Sequence, residues 1–159
     1  MYRIGEAEVR RIRKLIESGR IFRYGQGGEC DRFEQDWAAH VGVRYARMAR
    51  NGTSAIYTAL VGLGVGPGDQ VIVPAYTYMA TALAVLAAGA IPVIADVDDS
   101  LTLSPADVER RITPRTKAIM VVHWKGMPAD MDALLDVARR HVLKVVEDNC
   151  VSQGTLYRG

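Results

Sequence analysis

The chain has 159 residues, enough for one domain with a sizeable core, and its 49% hydrophobic and 24% charged residues are ordinary for a globular protein. A formal net charge of +2, with basic residues scattered along the chain, argues against a nucleic-acid surface. No apolar run approaches the ~18 residues of a membrane helix, no signal-peptide pattern opens the sequence, and Cys30 and Cys150 lack metal-ligand spacing, so free thiols and a cytoplasmic location are expected.

From the N-terminus, Ile4, Val9, Ile12, Leu15 and Ile16 recur at helical spacing, which predicts a helix over Ile4–Ser18 with Gly19 as its stop. Arg10, Arg11, Arg13 and Lys14 interleave with that stripe and read as a solvated helix face. Phe22–Gly28 is neither helix nor strand by pattern, and its glycines permit tight backbone turns. A second helix is predicted over Glu29–Val41, with Phe33, Trp37 and Val41 four residues apart.

The rest alternates. Short β-rich runs lie at Tyr45–Met48, Gln70–Val73, Ile91–Ala95, Lys117–Val122 and Lys144–Glu147. Helical stretches fall between them at Ser54–Leu63, Thr77–Ala88, Pro105–Arg111 and Asp130–His141. Strand, helix, strand at this spacing predicts an α/β fold of parallel βαβ units. The runs are continuously apolar, as strands covered on both faces must be. Pro67-Gly68-Asp69 supplies a turn into a strand, and Ser104-Pro105 a helix start. Gly62–Gly68 is glycine-rich but ends a helix and leads into a strand, the reverse of a dinucleotide fingerprint.

In such sheets ligands gather at the carboxyl ends of the strands. Gly52, Thr53 and Ser54 precede a helix there, where free N–H groups and hydroxyls suit a phosphate; an ordinary capped helix has the same residues. Tyr76 and Tyr78 follow the next strand, positioned either to stack on a flat ligand or to pack as ordinary tyrosines. Asp148 ends the last apolar run, as a partner for a heteroaromatic nitrogen or as a loop acid. His123 follows Val122 and reads as a site residue or as a satisfied, partly buried histidine. Lys125 shows no sign of a lowered pKa that would make it a Schiff-base lysine. No metal site is expected.

Taken in order, these stretches resemble the DegT/StrS-like sugar aminotransferases, which are fold-type I pyridoxal-phosphate enzymes. The matching words include Asn51-Gly52-Thr53-Ser54-Ala55, Gly66–Pro74, Tyr76–Thr81, Gly89–Val93, Ile112–Ile119, Val122-His123, Pro128–Asp132 and Glu147-Asp148. The resemblance implies a three-layer α/β/α domain with a mostly parallel sheet. Residues 1–42 form N-terminal helices and an entry segment, and 43–159 the first part of the large domain. It also implies pyridoxal 5'-phosphate held by Gly52, Thr53, Ser54, Tyr78 and Asp148, with Gln153 nearby. Asp148 pairs with the pyridine nitrogen, and Tyr24, Gly25, Tyr76 and His123 border the substrate. The implied reaction moves an amino group from glutamate or glutamine to a keto-sugar or cyclic ketone, in secondary-metabolite or surface-sugar biosynthesis. The implied assembly is a homodimer with a shared active site.

Two residues depart from the family pattern. Val151 stands where the family has glutamine or histidine near the cofactor's phenolic oxygen, and Lys125 where it commonly has tyrosine. The resemblance puts the Schiff-base lysine beyond Gly159, so the chain alone is expected to be an inactive part of a longer enzyme. Other carbanion chemistry on the same scaffold, and a shortened relative without catalysis, are the alternatives.

Overall fold

The computed structural model describes residues 4–21 and 27–158. The chain divides into two compact units, Met1–Met48 and Ala49–Gly159.

In the first unit, α1 spans Glu6–Glu17 and α2 spans Glu29–Val41. The α1 start is closed by Glu8, whose carboxylate accepts the Gly5 N–H at 2.7 Å; that bond holds the Glu8 pKa below the usual range. Arg10, Arg11, Arg13 and Lys14 are exposed on it, as the spacing predicts. Gly42 ends α2 at φ 76°, the left-handed conformation that favours glycine.

The strand expected at Tyr45–Met48 does not form. Its backbone is satisfied in another way. Glu34 of α2, only 6% exposed, accepts the Met48 N–H at 2.7 Å and pairs with Arg47 at 3.0 Å. A carboxylate therefore takes the donor that a neighbouring strand would have taken. The β-rich composition of Tyr45–Met48 carried no information about this long-range acceptor.

The second unit contains α3 (Gly52–Gly62), β1 (Gln70–Pro74), α4 (Ala80–Ala87), β2 (Ile91–Ala95), α5 (Pro105–Arg111), β3 (Thr116–Val122), α6 (Met131–Arg140) and β4 (Lys144–Asp148). The strands form a parallel four-stranded sheet in the order β2-β1-β3-β4 among the described residues. Parallel strands need crossovers, and helices supply them here.

Alternation along the central strands splits the core. Val71 and Val73 of β1, with Ala118 and Met120 of β3, face α3 and α4 through Ile56, Leu60, Ala84 and Val85. Ile72, Ile119 and Val121 point the other way, against Val108 of α5 and Leu134, Val137 and Ala138 of α6. This is why those strands read as unbroken apolar runs: each face has its own helical layer. The three-layer α/β/α arrangement follows.

Helix starts are set by side-chain caps. Asn51 Oδ1 accepts the Ser54 N–H at 2.8 Å, and Asp130 Oδ1 accepts the Ala133 N–H at 3.2 Å. The Asn51 cap starts α3 at Gly52, two residues before the expected Ser54. In contrast α4 starts at Ala80, because 75–78 remain a turn tied by the Thr77 and Thr81 hydroxyls at 2.9 Å. Gly89 leaves α4 at φ 78°, where an added Cβ would stand 3.2 Å from Pro67 Cγ.

Candidate functional site

The chain runs outward from β1 to β2, then returns to the opposite side of β1 for β3. The switch point therefore lies between β1 and β3, and the loops after those strands part there to leave a crevice. A cavity of about 370 Å³ opens at this end of the sheet. Gly52 and Thr53 come to it from the start of α3, Thr77 and Tyr78 from the loop after β1, Trp124 from the loop after β3, and Asp148 from the end of β4.

At the α3 start, the Ser54 N–H is already taken by Asn51. The N–H groups of Gly52 and Thr53, with the Thr53 hydroxyl, are left for an anion, in the positive end of an eleven-residue helix. Ser54 does not line the cavity: its N–H is spent on the Asn51 cap, and its carbonyl accepts from the Thr58 hydroxyl at 2.7 Å. Tyr78 is 67% exposed, so its ring is free to lie against a flat ligand.

Asp148 is half-buried, and its Oδ1 accepts the Cys150 N–H at 3.0 Å while its other oxygen makes no hydrogen bond among the described residues. Its backbone is pinned: the Asp148 carbonyl accepts the His123 N–H at 3.1 Å. The carboxylate is thus oriented by its own turn, with one oxygen to spare.

His123 is 7% exposed, and both ring nitrogens are engaged. Nδ1 accepts the buried Ala129 N–H at 3.2 Å, so the ring proton sits on Nε2 and is donated to Glu147 Oε2 at 3.0 Å. That bond holds the Glu147 carboxyl below its usual pKa. The His123 carbonyl accepts the Ser152 hydroxyl, which in turn accepts the Gly126 N–H at 3.1 Å. His123 therefore ties the ends of β3 and β4 to the loops that follow them, without itself lining the cavity.

Tyr76 also stands back from the cavity, edge-on to Trp124 with ring centres 5.2 Å apart. Gln153 is exposed and its amide donates to the Cys150 carbonyl at 3.4 Å. Lys125 is exposed in the short 3₁₀ turn Trp124–Gly126. Val151 lines the cavity, as does Cys150. Tyr24 and Gly25 lie outside the described residues. The wall contributed by Trp124 was not singled out from the sequence; its place directly after β3 was the available signal.

The model of the DegT/DnrJ/EryC1/StrS aminotransferase family matches residues 2–159. The chain belongs to this family. Within it, the chain is 48% identical over 149 residues to the dTDP-3-amino-3,4,6-trideoxy-alpha-D-glucose transaminase of Streptomyces venezuelae, covering 93% of this chain and 38% of that protein. The solved structure of 3-amino-5-hydroxybenzoic acid synthase superposes with a TM-score of 0.91 at 39% identity, over 96% of this chain and 40% of the other. NtdA from Bacillus subtilis, solved with its cofactor PMP bound, superposes with a TM-score of 0.84 at 36% identity, over 95% of this chain and 35% of the other. The chain thus spans less than half the length of these relatives. The shared fold is that of the fold-type I aminotransferases.

Proposed function

We propose that this chain forms the first part of the cofactor-binding domain of a pyridoxal-phosphate aminotransferase, acting on a keto-sugar or cyclic ketone with glutamate or glutamine as donor. The observation that carries the reading is one cavity lined by the free helix start at Gly52-Thr53, the exposed ring of Tyr78 and the carboxylate of Asp148. These groups match, one for one, the phosphate, the aromatic face and the ring nitrogen of pyridoxal phosphate. The PMP bound to NtdA supports the assignment.

The cofactor, when bound, supplies an electron sink for the carbanion formed at the substrate carbon. Gly52 and Thr53 bind its phosphate through N–H groups and a hydroxyl. Tyr78 covers the ring and excludes water from one face. Asp148, through its uncommitted oxygen, holds a proton on the ring nitrogen, which keeps the sink strong. His123 acts behind it by fixing the Asp148 backbone.

Titration of the chain with pyridoxal 5'-phosphate tests the cavity. Asp148→Ala and Thr53→Val should each weaken binding about tenfold or more, the worth of one charge-assisted hydrogen bond. Unchanged binding in both variants would sink the assignment. Transfer is tested on the complete protein, of which this chain is expected to be the first part. With glutamate and a nucleotide-linked keto-sugar, 2-oxoglutarate should appear with an amino-sugar. The same reading has the protein working as a cytoplasmic homodimer with shared sites, in secondary-metabolite or surface-sugar biosynthesis. The Streptomyces relative supports the amino-sugar part of that reading.

Val151 favours a second reading. It lines the cavity with a side chain that neither donates nor accepts a hydrogen bond. A cofactor oxygen left without a donor there would alter the electronics of the ring, as in an enzyme that runs dehydration or another carbanion reaction. Product analysis decides: an amine in the product supports transfer, and its absence with ketone consumption supports the other chemistry.

A further inference from the structure

Among the described residues, one buried side-chain polar atom has no hydrogen-bond partner, the indole Nε1 of Trp124. Native structures leave few such donors, since a shielded N–H without an acceptor is unfavourable. This one belongs to a cavity wall. Trp124 follows β3 at the switch point and lines the same space as Tyr78 and Asp148.

The ring is braced by a neighbouring aromatic. Tyr76 meets it edge-on, 5.2 Å between centres and 68° between planes. The next residue, Lys125, adopts φ 51°, a left-handed conformation uncommon in a residue with a Cβ and one that costs free energy unless its surroundings enforce it. The indole as a whole is only partly buried and forms part of the cavity wall.

Several of the other lining residues offer little as side-chain donors. The Thr77 and Thr81 hydroxyls bond each other. Ile56, Ala80, Val122 and Val151 offer none. The α3 start has free N–H groups, but these suit a phosphate. The remaining side-chain donors on these walls are the Thr53 and Tyr78 hydroxyls and the Cys150 thiol, and Trp124 differs from them in holding a shielded N–H without an acceptor.

We propose that Trp124 is a ligand-contacting residue whose indole N–H donates to an oxygen on the ring edge of the molecule bound in this cavity. The inference rests on the cofactor reading above. Nothing in the family resemblance assigns a role to this position.

The 159-residue chain has two tryptophans, so within it Trp37→Phe leaves Trp124 as the only one. In that background, titration with pyridoxal 5'-phosphate should quench or shift Trp124 emission. Adding Trp124→Phe keeps an aromatic ring against Tyr76 and removes the N–H. It should weaken pyridoxal 5'-phosphate, followed by cofactor absorbance, by about tenfold, the value of one hydrogen bond to a charged acceptor. The far-ultraviolet spectrum and urea midpoint should stay unchanged, which a purely packing role also predicts, whereas the affinity loss belongs to the donor alone. Inorganic phosphate, used as competitor, should bind both proteins equally.

Equal affinity of the two proteins for pyridoxal 5'-phosphate would overturn the proposal while leaving the cofactor reading intact. An equal loss for inorganic phosphate would overturn the ring-edge assignment. No binding of pyridoxal 5'-phosphate by the Trp37→Phe protein would bring down the cofactor reading and this proposal together.

Discussion

Replacing His123 separates a positioning role from a packing role. In His123→Ala the Ala129 N–H, on a fully buried residue, loses its acceptor, and the ring's volume is left empty. An orphaned buried amide costs about 1–3 kcal/mol, and partial collapse around the lost ring adds about 1 kcal/mol. Glu147 loses its donor too, but its side chain is half-exposed and water replaces the bond at little cost. The expected loss is therefore about 2–4 kcal/mol, read from urea unfolding with an unchanged slope. Two further variants sharpen the test. Asparagine sets its amide oxygen near the Nδ1 position and keeps the Ala129 bond, so His123→Asn should cost about 1 kcal/mol. Glutamine reaches the Nε2 position instead, keeps contact with Glu147 and abandons Ala129, so His123→Gln should fall close to alanine. If glutamine proved more stable than asparagine, the proton assignment and the positioning role of Nδ1 would both be wrong.

Asp107 is 4% exposed, and its pKa is lowered to about 2 by the Asp96 N–H first and then by Arg111 and Arg110. A depressed carboxyl stabilises the fold above its unfolded value and loses that contribution as pH falls from about 4 towards 2. Asp107→Asn should remove about 1–2 kcal/mol at neutral pH and flatten the fall in urea midpoint between about pH 4 and pH 2. Asn51→Ala removes the α3 cap and should cost about 1 kcal/mol, with a weaker hold on inorganic phosphate as the helix start frays. Leu60→Ala, at a fully buried α3 position against β1, should cost about 2–5 kcal/mol by thermal or urea unfolding, with no direct effect on cavity-lining groups.

The second unit was readable from the sequence because its strongest signals are local. Strands buried on both faces give apolar runs such as Val71–Val73 and Ala118–Val122, and each helix between them carries its own cap or turn residue. The errors lie where a distant group decides. Tyr45–Met48 has strand composition, yet its backbone donor goes to Glu34, fourteen residues away from Met48 on a helix. The α4 start moved from Thr77 to Ala80 because two hydroxyls close a turn, a contact that helical periodicity does not encode.

The same division runs through the site. Gly52, Thr53, Tyr78 and Asp148 come to one cavity because each follows a strand or opens a helix, positions that the topology brings together. His123 satisfied that rule as well, but its role turns on the Ala129 amide and Glu147, so its buried, doubly bonded state was only one of two readings open to the sequence. Trp124 escaped notice for a related reason: a tryptophan in a loop announces bulk, and what distinguishes this one is a donor left without an acceptor. Strand-end position thus identifies which residues can reach a ligand, and the hydrogen-bond inventory then separates those already satisfied by the protein from those still holding a free group. By that criterion Asp148, with one uncommitted oxygen, and Trp124, with one uncommitted N–H, are left to meet a ligand, while His123 is spent on holding the frame.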